Sequence, residues 1–257
     1  MKKTLDDLFK EIQLSRKKLN FLGNEECFYR GQINSEWDLI PSLFRGPHKK
    51  RAKLFWTESG LFYEFSTRAK QLHQQNLDDW DVLFYMRHYA VPTRLIDWTE
   101  TLGVALYFAT LDHDGKDDTC IWLLNPYTLN KISWAGRDLV NPKYLLEHKK
   151  TMGWTLSDFM AADWVNFQWK YPVAIYPPQK SDRMHAQRGW FTIHGTKITA
   201  MNKMPELKKS LSKIIIPNYL TNEIHEYLGH AGITDHTMFP DLDGLSKYLS
   251  KKYNFSV

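Results

Sequence analysis

Apolar residues recur at helical spacing in some stretches of the chain and run unbroken in others, and the two patterns predict different elements. Leu5, Leu8, Phe9, Ile12 and Leu19 fall near helical spacing behind Thr4, a residue suited to an N-cap, so a helix is expected over residues 4–20, closed by Gly23-Asn24. Phe62, Phe65, Ala69 and Leu72 predict a helix over 61–77. Asp78-Asp79 then caps another, in which Val82, Tyr85, Met86 and Tyr89 share a face until Pro92 stops it. Val104, Tyr107, Phe108 and Leu111 mark a short buried helix, and Ala105 and Ala109, one turn apart, let it approach a sheet closely. Further helices are expected over 156–169, 222–228 and 242–249.

Short runs rich in β-branched and aromatic residues, bounded by Gly, Pro or Asn, predict strands at 26–32, 93–98, 119–124, 173–176, 190–194 and 213–216. Residues 37–45 look irregular and lead into a basic loop through Arg51, 112–118 form a polar turn, 127–154 are weakly patterned, and 229–240 join the last two helices. Strands and helices in no regular alternation give an α+β fold. With no repeat, linker or low-complexity tract, residues 1–257 are expected as a single domain, an N-terminal helix in 1–22 and a core over 23–257.

Composition narrows the class. At 257 residues with 43% hydrophobic side chains the chain can bury a sizeable core. It has no apolar run near the roughly 20 residues that span a bilayer, and its start turns acidic too early for a signal-peptide core, so a cytoplasmic protein is expected. Cys27 and Cys120 are too few for a disulfide scaffold or a four-thiolate site and fit a reducing compartment. The net charge of +5 and an aromatic content of 14% suit a nucleic-acid or nucleotide partner without requiring one.

The stretch Arg87 to Thr99 is too polar for a core and too apolar for a surface loop, and burying such groups is costly unless they pair with each other or with a ligand. His88, Arg94, Asp97 and Thr99 flank one bend set by Pro92. His88 is read either as a proton carrier or ribose donor, or as a histidine satisfied at a helix end. Arg94 and Asp97 either contact a ligand or pair with each other. Arg30, at a strand end in Tyr29-Arg30-Gly31-Gln32, suits bidentate capture of phosphate or carboxylate, or else a structural salt bridge. Gln187, ahead of an aromatic strand, can orient a hydroxyl or bond its own turn. No His-Glu spacing of a metalloprotease, no P-loop, no dinucleotide glycine fingerprint and no Gly-x-Ser-x-Gly elbow occurs, so no metal is expected.

Three blocks together resemble the FRG domain family: Phe28-Tyr29-Arg30-Gly31-Gln32 with Pro41-Ser42-Leu43, then His88 through Thr99 with Ala105-Leu106-Tyr107-Phe108-Ala109, then Arg183, Ala186-Gln187, Gly189 and Phe191. The segment from Gly232 to Leu245 resembles the family's end, so the likeness runs along most of the chain. The order of elements is also similar to the ADP-ribosyltransferase fold, which implies mixed β-sheets flanked by helices and NAD as co-substrate. By that resemblance Arg30, Asp97, Thr99 and Gln187 are the catalytic candidates, and Tyr29, Arg30, Gly31, Gln32, His88, Arg94 and Trp98 border NAD. Missing Glu-x-Glu or Gln-x-Glu at the third position leaves Asp97 as the candidate general base, with Glu223 and Glu226 behind it. The implied activity is ADP-ribosylation by a toxin or antiphage effector, with RNA or DNA as acceptor, protein as a second acceptor class, and a neutralising antitoxin as a conceivable partner. Two other readings stay open: a non-catalytic nucleotide- or RNA-binding module, and an NAD-independent nuclease.

Overall fold

The structure, a computed structural model, describes residues 2–47, 50–72, 77–111, 113, 115–134, 136–142, 169–177 and 181–255. Helix α1 (Leu5–Lys18) opens on a capping box: the Asp7 amide donates to Thr4 Oγ1 at 3.2 Å and the Thr4 amide donates to Asp7 Oδ2 at 3.0 Å. Leu8 and Ile12 face inward, as the spacing predicts.

Six strands form one sheet: β1 (Phe28–Gln32), β2 (Leu95–Thr99), β3 (Thr119–Leu124), β4 (Val173–Ile175), β5 (Gly189–Ile193) and β6 (Leu211–Ile216). Their order across the sheet is β4-β5-β2-β1-β3-β6, and every neighbouring pair is antiparallel. The fold is α+β; where mixed sheets were implied, the described strands make a single antiparallel sheet, with one parallel bridge between Val140 and Ile175 outside it. Strand β3 is buried at all six positions, which explains its unbroken apolar run. Ile121 and Leu123 pack on one face with α1 and with Val104 to Ala109, and Cys120, Trp122 and Leu124 on the other with Met201, Met204 and Leu207.

Helix α2 is Ser42–Arg45, α3 Arg51–Leu72, α4 Asp79–His88, α5 Leu102–Thr110, α6 Pro126–Ser133, α7 Asp182–Ala186, α8 Thr221–His230, α9 Asp235–Met238 and α10 Leu242–Lys252. Several depart from the sequence pattern. Helix α3 starts ten residues earlier than expected, taking up Arg51, and the turn of α2 lies in a stretch read as irregular. Helix α6 sits in the weakly patterned region, where Asn125 caps it by accepting from the Thr128 amide at 2.9 Å. Helix α9 interrupts the expected 229–240 connection. The helix predicted over 156–169 falls outside the described residues except for Trp169.

On one side of the sheet the core divides in two. Helices α3 and α4 cover Leu95, Phe191, Ile193, Val173 and Ile175, while α1, α5 and α8 cover Tyr29, Ile121, Leu123, Ile214 and Ile216. The seam between them runs along β1 and β2, which pair at one register position, Tyr29 opposite Thr99. Beside it, α5 crosses β1 so tightly that a Cβ on Gly31 would lie 2.1 Å from the Ala105 carbonyl oxygen and 2.4 Å from the Ala109 amide nitrogen. Gly31 is therefore the counterpart of the two alanines that the sequence marked.

Candidate functional site

A cleft of about 350 Å³ opens along that seam, between α4 and α5. From β1 and β2 it takes Arg30, Asp97 and Thr99; from α4, Phe84, Arg87 and His88; from α5, Val104, Ala105 and Phe108; and from α7 and its C-terminal end, Arg183, Met184 and Gln187. Trp37, Ile40 and Arg45 close another side. Four guanidiniums thus face one carboxylate, Asp97 being the sole acid that borders the cleft among the described residues.

Asp97 is held from two directions. Arg87 Nε donates to both carboxylate oxygens at 2.7 and 2.9 Å, and its Nη2 donates to Oδ2 as well. Arg30 Nη1 donates to the Asp97 backbone oxygen at 2.8 Å and approaches Oδ2 at 3.4 Å. The arginine thus occupies the gap left where β1 and β2 stop pairing. Withdrawal from water pushes the Asp97 carboxyl up, and the two guanidiniums more than offset this, holding it below the usual carboxylate range. The same carboxylate raises Arg87 above its ordinary value.

The remaining guanidiniums carry unused donors. Desolvation pushes Arg30 down to about 10, with Asp97 pulling the other way, and its Nε is buried with no hydrogen-bond partner among the described residues. Desolvation also lowers Arg45, with the Arg87 charge adding to it. Arg183 is lowered by desolvation too, and its guanidinium carbon lies 4.3 Å from the centre of the Phe239 ring. Neither Arg45 nor Arg183 makes a side-chain hydrogen bond or ion pair with another described residue. Donors in excess of acceptors, partly withdrawn from water, make a receptor for an anion such as a phosphate.

The helix that carries Arg87 and His88 ends on Tyr89, and Ala90 turns the chain with φ +59°, a left-handed conformation that brings the Val91 amide 2.9 Å from the Met86 oxygen. His88 is half-buried; desolvation first, and the Arg183 charge next, hold it below its ordinary value, which favours the neutral imidazole.

The other expected residues divide sharply. Thr99 Oγ1 donates to the Gln187 carbonyl at 2.8 Å and accepts from the Thr101 amide at 3.1 Å, and Gln187 Nε2 donates to the Met238 carbonyl at 3.0 Å. Both line the cleft while stitching β2, α7 and α9 together. Tyr29, Gly31, Gln32 and Trp98 border it too; Gly31 has no side chain, and the other three side chains serve the interior. Tyr29 packs under α1 and α5, Gln32 Oε1 accepts from Trp122 Nε1 at 2.5 Å, and Trp98 Nε1 donates to Thr192 at 3.1 Å. Arg94 does not line the cleft. It pairs with Glu58, not Asp97: Nε donates to Glu58 Oε1 at 2.7 Å and Nη2 meets Oε2, with both side chains at most 1% exposed. Glu223 and Glu226 lie exposed on α8, away from the cleft. Arg45, Arg87 and Arg183 were not singled out by sequence reasoning, although each stands beside or inside a block that was. No group of three or more His, Cys, Asp or Glu able to hold a metal occurs among the described residues.

Fold and site together define an α+β protein with an arginine-lined cleft set into the seam of an antiparallel sheet. Residues 25–118, a range that takes in β1, α2 to α5 and β2, match the family model of the FRG domain. The Arg183 to Phe191 block and the C-terminal segment lie beyond the matched range. No curated protein and no solved structure matches the chain.

Proposed function

We propose that the cleft binds NAD and that the chain is a cytoplasmic NAD-dependent ADP-ribosyltransferase, a toxin or antiphage effector whose acceptor is a nucleic acid. The observation that carries this is Arg30: it fills the gap between β1 and β2 with a buried Nε that has no hydrogen-bond partner among the described residues, beside three further guanidiniums and one carboxylate. That donor set fits a diphosphate: four guanidiniums against one carboxylate leave three positive charges, one more than the diphosphate's two. No helix of the described residues is long and apolar enough to cross a membrane, which is compatible with that location.

Bound NAD supplies an ADP-ribosyl group: the glycosidic bond to nicotinamide breaks, a bond to the acceptor atom forms, and the acceptor's proton departs. Arg30 and Arg45 hold the anionic part. Asp97, with its oxygens committed to Arg87 and Arg30, keeps those guanidiniums oriented, a role better suited to a low carboxyl pKa than proton abstraction. His88 borders the cleft, and its imidazole, which burial and the Arg183 charge hold below its ordinary value, takes the acceptor's proton. Thr99 and Gln187 fix the far wall by their mutual hydrogen bond.

One observation favours a second reading, a nucleotide-binding module without chemistry: the sole carboxylate bordering the cleft among the described residues is already spent on arginines. Nicotinamide release separates the two. Under the first reading the wild type releases nicotinamide in the presence of NAD and total RNA or DNA, and Arg30→Lys loses at least about tenfold in rate, the loss of a bidentate contact. Under the second, NAD raises the melting temperature and is not consumed. Neither consumption nor a thermal shift would remove both.

A further inference from the structure

The cleft has different surroundings at Arg45 and Arg183, the two guanidiniums with no ion-pair partner among the described residues. Arg45 shares its side with Trp37 and Ile40, whereas Arg183 stands near His88, whose imidazole it disfavours for protonation. Beside His88 is Tyr89, 59% exposed, with its ring centre 4.8 Å from the imidazole and 6.3 Å from Tyr85, nearly parallel to the latter at 19°. Tyr89 lies in the chain between two residues that line the cleft, His88 and Ala90, the second in a left-handed turn. An exposed tyrosine held by its neighbours has little freedom left to lose on binding. Arg183, braced against Phe239 and lacking an acid partner among the described residues, supplies a positive charge on the same flank.

An aromatic platform next to a spare guanidinium is what a single-stranded nucleic acid uses: bases stack and backbone phosphates pair, whatever the sequence. We propose that the Tyr89–Arg183 flank is the entry ledge for the acceptor strand, Tyr89 stacking one base and Arg183 taking a backbone phosphate. This rests on the reading that the acceptor is a nucleic acid, and the net charge of +5 complements such a partner.

The test is fluorescence anisotropy of labelled single-stranded oligoribonucleotides and oligodeoxyribonucleotides across a salt series, with calorimetry of NAD on the same proteins. Tyr89→Ala weakens oligonucleotide binding about tenfold and Tyr89→Phe restores it, as stacking requires and a hydroxyl contact does not. Arg183→Gln lowers the slope of log affinity against log salt by about 0.7, the release of one counterion from a single strand. Circular dichroism of each variant verifies the fold. RNA-only or DNA-only binding with these effects supports the ledge and identifies the strand. Tyr89→Ala binding as the wild type does, or an unchanged slope in Arg183→Gln, overturns it. If the wild type binds NAD but no oligonucleotide, the ledge falls and the NAD reading survives; if it binds oligonucleotide with these losses but no NAD, the ledge stands and the NAD reading falls.

Discussion

Two arginine–carboxylate pairs lie three residues apart in the chain and have opposite characters. Arg94 and Glu58 face each other one to one, with at most 1% of either side chain exposed. Asp97 has side-chain exposure of 39%, and is shared by Arg87 and Arg30 with two more guanidiniums nearby. The first pair is closed: its main charged donors and acceptors are matched inside the protein, so it can only hold α3 against the start of β2. The second is open, because positive charge exceeds negative and donors remain. The chemistry of the side chains is the same, and the charge balance separates scaffold from receptor.

The largest effect is expected at the closed pair. Glu58→Ala leaves a buried guanidinium with no counter-charge and should cost about 3 to 5 kcal/mol in urea denaturation. The double variant Arg94→Met, Glu58→Leu should recover most of that loss, since apolar groups of similar size need no partner. A loss under about 1 kcal/mol in Glu58→Ala would mean the site admits water.

A smaller effect is expected at the open pair. Solvent screens Asp97, so Asp97→Asn should cost about 1 to 2 kcal/mol, between the values for surface and buried pairs. Its second signature sharpens the contrast: pyrophosphate should raise the melting temperature of Asp97→Asn more than that of the wild type, because an anion replaces the missing charge. Glu58→Gln, sealed from solute, should gain no more than the wild type does. Equal gains in all three would erase the distinction between the pairs.

The pairing of these arginines shows where sequence reasoning reached and where it stopped. Strand β3 and helix α1 were legible because their neighbours impose one pattern on consecutive residues: burial on both faces of Thr119–Leu124, and a cap at Thr4 ahead of a helical stripe. The close crossing of α5 was legible from Ala105 and Ala109, although its partner Gly31 lies some seventy residues earlier. An Arg94–Asp97 pair was considered and does not form. Along an extended chain residues an odd number apart alternate to opposite sides, which already disfavours it. Its true partner, Glu58, is 36 residues away on a helix whose basic first turn resembles a loop. Arg45 and Arg183 stand out because no acid among the described residues forms an ion pair with either, a property of the folded molecule with no local signal. His88, Thr99 and Gln187 sit where a helix or strand ends, whereas Arg30, expected at a strand end, and Asp97 lie at the middle of β1 and β2, beyond the one position at which those strands pair.

The closed region has one more titratable group. His194, fully buried, donates its backbone amide to the Arg94 oxygen at 3.1 Å and lies edge-on to Phe44. Burial first, then the Arg94 charge, push its imidazole from 6.5 down to about 3, against a weaker pull from the Thr199 backbone. In the folded protein it stays neutral, whereas the unfolded chain binds a proton below pH 6.5. Its contribution is therefore complete above pH 6.5 and shrinks as the pH falls toward 3, because acid favours the state that binds the proton. Between pH 6.5 and 5.5 this one histidine should remove roughly 1 kcal/mol of stability. Urea denaturation of the wild type and His194→Asn at both pH values isolates the term, since the carboxylates are common to the two proteins. The variant should lose roughly 1 kcal/mol less over that interval, whatever its stability at pH 7. Parallel losses would show that the wild-type imidazole takes its proton in place, and the wall around Arg94 would then be open to water as the cleft is.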